Sequence, residues 1–135
     1  MTAVLVDTNV LVDVLRGGDT WGSWSAEHLA RAAERSAVVI NPIVYAELSV
    51  GFDTIEELDA AISPLLIERE SLPYQAGFVA GRAWLAYRRR GGTRTSALPD
   101  FYIGAHAAVA GYRLLTRDAA GYRSSYPTLE LIAPD

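Results

Sequence analysis

Short apolar runs alternate with segments of helical character along this chain, and the alternation restricts the possible folds more than any other feature. Five runs predict strands, at residues 3–6, 37–40, 65–67, 113–116 and 129–132. Helices are predicted between them, at residues 10–16, 24–35, 42–50, 53–62, from Pro73 to Arg90, and 99–110. This order is typical of an α/β fold in which helices cover both faces of a parallel sheet of four to five strands. Such sheets bind ligands at the carboxyl ends of their strands.

Capping residues mark three of the helix starts. Asn41 stands before Pro42, which suits the first helical position because its missing N–H has no helical partner there. Ser25 is a candidate cap of the second helix, and Asp53 with Glu56 resembles a capping box.

The set of reactive side chains excludes several chemistries. The chain has no cysteine, and its 12 basic residues are all arginine. Disulfides, thiolate metal sites, Schiff bases and a phosphate-binding lysine are therefore excluded. Sixteen acidic residues give a net charge of −4, so any nucleic acid must be met by a local basic patch or through metal ions.

The length and hydropathy pattern predict one domain over residues 1–135. Aspartates interrupt the longest apolar stretches, which fall short of the roughly 20 residues that a membrane span needs. No basic region precedes the N-terminal apolar run, as it would in a signal peptide. We therefore expect a cytoplasmic protein without membrane contact.

Acidic residues occupy places where a site of such a fold would lie. Asp7 ends the first predicted strand, and Asp118 follows the fourth with one residue between. Capping of the following helix explains each aspartate equally well when it is taken alone. Glu47 has apolar neighbours at helical spacing, so its carboxylate is expected to project from an apolar face, paired with an arginine or bound to a metal.

Asp100 falls in the first turn of a helix, where the dipole favours an anion. Its helical face continues through small residues, which suggest close packing against the sheet: Gly104, Ala107, Ala108 and Gly111. Four carboxylates brought together raise one another's pKa unless cations are present, and Mg²⁺ or Mn²⁺ prefers such oxygen ligands. Two ions there could activate water for phosphodiester hydrolysis.

Four segments together resemble the PIN-domain ribonucleases, and more closely the VapC-type toxins of type II toxin–antitoxin systems. They are Asp7-Thr8-Asn9, Tyr45-Ala46-Glu47-Leu48, the run from Leu98 to Ala105, and Leu115-Thr116-Arg117-Asp118. The resemblance covers nearly the whole chain, and it implies a PIN-like three-layer α/β/α fold.

The resemblance also assigns roles and partners. It implies that Asp7, Glu47, Asp100 and Asp118 are the catalytic and metal-binding residues of a Mg²⁺- or Mn²⁺-dependent endoribonuclease. Thr8, Asn9 and Thr116 would support them. It further implies a homodimer held inactive by a cognate VapB-type antitoxin, which could assemble with the toxin on operator DNA.

Two further sets of residues have both a functional and a structural interpretation. Arginines near the end of one helix could hold RNA phosphates or simply complement its dipole: Arg88, Arg89, Arg90 and Arg94. Trp21 and Trp24 could rim a groove for an antitoxin segment or belong to the core. Structural roles are predicted for both histidines, His28 and His106, and packing of the C-terminal segment for Tyr122 and Tyr126.

Two other classes of function compete with a nuclease. A phosphoryl-transfer enzyme or receiver domain would use Asp7 as nucleophile or phospho-acceptor, but such proteins rely on a lysine that is missing here. A binding module could use the acidic pocket to hold cations or an arginine of a partner. Metal-dependent RNA cleavage by the purified protein separates the nuclease from the module.

Overall fold

Five parallel strands form the central sheet in the computed structural model, which describes residues 2–18, 20–92 and 98–134. The strands are β1 (Val4–Val6), β2 (Val38–Ile40), β3 (Glu68–Arg69), β4 (Arg113–Leu115) and β5 (Leu131–Ile132). Their order across the sheet is β3-β2-β1-β4-β5. The predicted parallel α/β architecture is therefore confirmed.

Seven α-helices within the described residues surround this sheet. They are α1 (Thr8–Arg16), α2 (Gly22–Arg35), α3 (Pro42–Ser49), α4 (Ile55–Ile62), α5 (Tyr74–Arg89), α6 (Leu98–Ala110) and α7 (Ala120–Ser125). None of these helices is both long and apolar enough to cross a membrane.

The three central strands, β2, β1 and β4, lie at the centre of the hydrophobic core. Every residue of β1 and β2 is buried, which explains why they are apolar on both sides. The order in which successive strands are added to the sheet reverses at β1. The strands β2 and β3 lie on one side of β1, and β4 and β5 lie on the other. Such a switch point opens a crevice at the carboxyl ends of the two strands that flank it, here β1 and β4.

The structure corrects two predicted strands at the sheet edges. Residues 65–67 are not a strand, because Ser63–Leu65 form a 3₁₀ turn that contains Pro64. Leu66 ends this turn at a φ of +56°. The strand begins instead at Glu68, which pairs with Val39. Leu129 lies in a turn closed by its N–H and the Tyr126 carbonyl, so β5 is shorter than predicted.

Two of the three predicted helix caps are not at the residues where the structure begins those helices. Asn41 caps α3 as expected, with Oδ1 accepting from the N–H groups of Ile43 and Val44. Ser25 instead lies within α2, fully buried. The capping box at α4 lies one residue later than predicted: Thr54 accepts from the Glu57 N–H, and the Glu57 carboxylate accepts from the Asp53 N–H.

Candidate active site

Asp7 lies at the switch point of the sheet and caps α1. Its N–H donates to the Leu115 carbonyl at 2.9 Å, which continues the pairing of β1 with β4. Its Oδ1 accepts from the Thr8 N–H at 2.7 Å. The capping interpretation of Asp7 is thus confirmed, and its place at the end of β1 also makes it line the crevice.

The second carboxylate oxygen of Asp7 is surrounded by neutral donors. Oδ2 accepts from the hydroxyls of Thr116 at 2.8 Å and Tyr122 at 3.0 Å, and from the Asn9 amide at 3.3 Å. The side chain is only 4% exposed, and this burial raises the pKa of Asp7 above its usual range. The hydrogen bonds oppose that rise, whereas the charge of Glu47 adds to it. A buried carboxylate whose observed hydrogen-bond donors are all neutral would be stabilised in its ionised form by a cation.

Asn9 and Thr116 connect α1 to the loop after β4. Asn9 donates to the Thr116 hydroxyl at 3.3 Å, and its Oδ1 accepts from the Arg117 N–H at 3.3 Å. Thr116, which is fully buried, accepts from the Asp118 N–H at 3.1 Å. These bonds hold the loop that carries Asp118 against the start of α1.

Glu47 corrects the expectation of a carboxylate on an apolar helix face. The side chain is exposed, whereas its helix α3 buries Val44 and Leu48. Its Oε1 accepts from the Thr8 hydroxyl at 2.6 Å. Glu47 therefore incurs little of the desolvation cost predicted for it, and Thr8 links it to the start of α1.

One pocket brings the four predicted acids together. Its lining includes Thr8, Asn9 and Tyr122 beside the four carboxylates of Asp7, Glu47, Asp100 and Asp118. Asp100 and Asp118 are exposed, from the first turn of α6 and from the loop after β4. We call this the acidic pocket.

The donor set of the acidic pocket suits a hard divalent cation, because all four acids present oxygen ligands. Among the described residues, however, no three acidic or histidine side chains are grouped closely enough to hold an ion in common. The four acids line the walls of the pocket, and joint coordination of one ion would require their side chains to move closer together.

Arg117 and the buried Asp13 form a partly buried ion pair at the rim of the acidic pocket, which was not predicted from the sequence. Arg117 Nε donates to Asp13 Oδ2 at 2.7 Å, and Ser25 donates to the same oxygen at 2.8 Å. Arg117 also lines the acidic pocket. A signal was present in the sequence, since Arg117 directly precedes Asp118 and Asp13 lies on α1.

Tyr122 packs in the core as predicted, but it also makes a contact in the site that was not predicted from the sequence. Its hydroxyl contacts Asp7, and burial together with the charge of Asp7 raises the pKa of this phenol. The group therefore remains a proton donor to Asp7 at neutral pH. The position of Tyr122 only four residues after Asp118 could have indicated a place near the same end of the sheet.

Tyr122→Phe is expected to shift the titration of the Asp7 carboxyl, followed by NMR, to higher pH. The lost hydrogen bond stabilises only ionised Asp7, so the pKa of Asp7 rises further. Tyr126→Phe is the matched control, because its hydroxyl donates to the Phe101 carbonyl. An identical titration of Asp7 in wild type and Tyr122→Phe would refute the prediction.

The arginine cluster divides into separate contacts. Arg90 donates to the Ser124 hydroxyl at 3.1 Å, whereas the Arg88 guanidinium lies over the Trp84 ring. Arg89 is exposed at the end of α5, and Arg94 lies outside the described residues. A role in binding RNA phosphates stays a prediction for this cluster.

Trp21 and Trp24 are half-buried and in contact with each other, with ring centroids 6.2 Å apart. The Trp24 ring stacks on His28, and the Arg117 guanidinium lies 5.9 Å from the centre of the Trp21 ring. The two tryptophans are thus joined to the rim of the acidic pocket through Arg117. His106 is fully buried and accepts from the Asn41 amide, away from the pocket.

Comparison with protein families matches residues 4–123 to the PIN domain. No curated protein matches the chain in sequence.

Solved structures with the same fold include VapBC2 from Rickettsia felis bound to a promoter DNA fragment, at 21% identity and a TM-score of 0.76 over 99% of this chain and 100% of that one. VapBC-1 from nontypeable Haemophilus influenzae matches at 19% identity and a TM-score of 0.75, covering 98% of each chain. VapC20 from Mycobacterium tuberculosis, a toxin that cleaves the sarcin–ricin loop, matches at 16% identity and a TM-score of 0.64 over 90% of this chain and 95% of that one.

Proposed function

Because the chain belongs to the PIN domain family, we propose that it is a metal-dependent endoribonuclease and the toxin of a type II toxin–antitoxin system. The observation that carries the proposal is the acidic pocket, where four acids from separate parts of the chain meet at the carboxyl edge of the sheet. Asp7, Glu47, Asp100 and Asp118 are the proposed metal ligands and catalytic residues.

Mg²⁺ or Mn²⁺ bound by these carboxylates would supply Lewis acidity and lower the pKa of a water molecule for attack on phosphorus. The chain's own residues orient the ligands. Asp7 is held by donors to both of its oxygens, Thr8 holds Glu47, and Thr116 holds the backbone at Asp118. The two histidines hydrogen-bond elsewhere, so carboxylates are the bases that this pocket offers.

The test is cleavage of RNA by the purified protein with and without divalent ions. We expect internal cleavage with Mn²⁺ or Mg²⁺ and none in excess EDTA. A thermal melt provides a second readout: an ion at a free concentration 100-fold above its Kd stabilises the fold by about 2.7 kcal/mol. No cleavage and no rise in Tm with either ion would refute the nuclease and favour a binding module.

The inhibitor of such a toxin is proposed to be a VapB-type antitoxin. The similar structures from Rickettsia felis and Haemophilus influenzae are VapBC structures, and the former is bound to promoter DNA. In this chain the half-buried Trp21 and Trp24 offer an apolar surface beside Arg117. A segment lying on this surface could extend a basic side chain into the acidic pocket, where it would compete with metal. We also propose a homodimer, and assembly on operator DNA through the antitoxin.

Trp21→Ala is expected to weaken antitoxin binding by more than tenfold while the free enzyme stays active, because a buried tryptophan anchor typically contributes at least about 2 kcal/mol to an interface. Trp84→Ala is the matched control, since Trp84 is also partly buried but contacts Arg88 at the end of α5. Binding is measured by calorimetry with the purified antitoxin. Unchanged affinity of a folded Trp21→Ala protein would place the groove elsewhere.

A further inference from the structure

A second cavity, of about 270 Å³, adjoins the acidic pocket where α7 meets the C-terminal end of α5. The two share Asp100, Asp118 and Tyr122 as lining residues. This cavity is more apolar than the acidic pocket, and four aromatic side chains contribute to its walls: Tyr87, Phe101, Tyr122 and Tyr126. We call it the aromatic cavity.

The aromatic walls are held in place by the surrounding fold. Phe101, Tyr122 and Tyr126 are each more than nine-tenths buried, and the Tyr126 hydroxyl donates to the Phe101 carbonyl at 2.7 Å. The Tyr87 ring lies 5.5 Å from the Phe101 ring between centroids, and a Cβ at Gly92 would overlap it. The rings are therefore preorganised, and binding to them costs little conformational entropy.

Hydrogen-bonding groups stand beside the rings. The Arg90 guanidinium lies 5.7 Å from the centre of the Tyr87 ring and donates to the Ser124 hydroxyl at 3.1 Å. Arg90 and Ser124 are exposed, and both line the cavity. Guanidinium has five N–H donors, so those not used by Ser124 can meet acceptor atoms on the edge of a planar ligand.

We propose that the aromatic cavity binds an unstacked nucleobase of the nucleotide next to the scissile phosphate. The inference rests on the proposed nuclease function and adds a subsite to it. A phosphodiester at Asp100 and Asp118 leaves its neighbouring base beside the cavity, because these two acids line both spaces. Aromatic rings and arginine planes are the groups by which proteins hold single-stranded RNA bases, and apolar walls would not suit a phosphate.

The test uses an RNA oligonucleotide that contains a mapped cleavage site, with an abasic residue placed in turn at each of the two positions on either side of the cleaved bond. For the wild-type protein, an abasic residue at one position adjacent to that bond is expected to lower kcat/KM by about 5- to 150-fold relative to the intact RNA. This is the range that corresponds to the free energy of base–aromatic stacking. Tyr87→Ala is expected to lose a similar factor on the intact RNA. It should cleave the abasic RNA as fast as wild type does, which shows that the acidic pocket still works.

Tyr74→Ala is the matched control, since Tyr74 lies on the same helix and is fully exposed. If Tyr87→Ala fails to fold, Arg90→Ala serves instead, because its side chain is exposed and should lose part of the same discrimination. Cleavage by wild type that is insensitive to all four abasic positions overturns the nucleobase subsite and leaves the nuclease standing. Absence of any RNA cleavage overturns both. Unchanged abasic discrimination in Tyr87→Ala, together with weaker antitoxin binding, would assign the cavity to the protein partner.

Discussion

Asp100→Asn is expected to lower metal-dependent RNA cleavage by at least a factor of about one hundred. The substitution keeps the size of the side chain but removes one of the four charges of the acidic pocket. Metal ions stabilise transition-state charge by several kcal/mol, and each loss of about 1.4 kcal/mol lowers the rate tenfold. Initial rates on a defined RNA in Mn²⁺ measure the effect. The Tm shows whether the variant is folded, and the loss of an acid from the first turn of α6 should cost at most about 1 kcal/mol.

Asp53→Asn is the control for a general effect of removing negative charge. Asp53 is exposed beside α4 and lies outside the acidic pocket, so its replacement should leave the rate within about twofold of wild type. Full activity of a folded Asp100→Asn protein would contradict the assignment of this residue as a metal ligand.

Gly104→Ala is expected to destabilise the fold by about 1–3 kcal/mol, the usual range for an overpacked core. A Cβ at Gly104 would lie 2.5 Å from Cε2 of Tyr126 and 3.2 Å from Cδ1 of Tyr122. Tyr126 has little room to retreat, because it is buried and hydrogen-bonded to Phe101. The better helix propensity of alanine, about 1 kcal/mol, offsets only part of the cost. Denaturant unfolding measures the change.

The same substitution is expected to reduce activity, since Tyr122 donates to Asp7 and would be displaced by the added methyl group. Gly121→Ala provides the matched control: Gly121 lies in α7, and a Cβ there would have no heavy atom within 4 Å. That variant should be as stable as wild type or slightly more stable. A Gly104→Ala protein with undiminished stability would show that α6 and α7 can separate at little cost.

The small residues along α6 illustrate how a correct pattern can be assigned the wrong partner. Gly104 is required for close packing, as predicted, but it packs against Tyr122 and Tyr126 at the end of the chain. Ala108, by contrast, is exposed. Helical spacing identifies which residues share a face, but it carries no information about which element covers that face.

The positions of the three central strands, and of the acids that follow two of them, were determined by the sequence itself. A strand buried on both faces must be apolar, so β1 and β2 appear as unbroken apolar runs, and β4 as Leu114 and Leu115 after Arg113. The polar residues that follow these strands lie at one edge of the parallel sheet. Asp7 and Asp118 could therefore be assigned to the same edge from local patterns alone. The edge strand β3 could not, because both of its residues are exposed and polar and only pairing with β2 makes it a strand.

Tertiary structure alone decided what surrounds each acid. Tyr122 reaches Asp7 across 115 positions of the chain, and Arg117 reaches Asp13 across 104. The burial of Asp7 and the exposure of Glu47 likewise depend on how α1, α3 and α7 pack. The local secondary-structure preferences around these two acids do not specify that packing. The sequence thus determined which residues stand at the strand ends, because backbone periodicity is local. Their hydrogen bonds, the pKa shift of Asp7 and the aromatic cavity arise from contacts between distant segments, which exist only once the chain is packed.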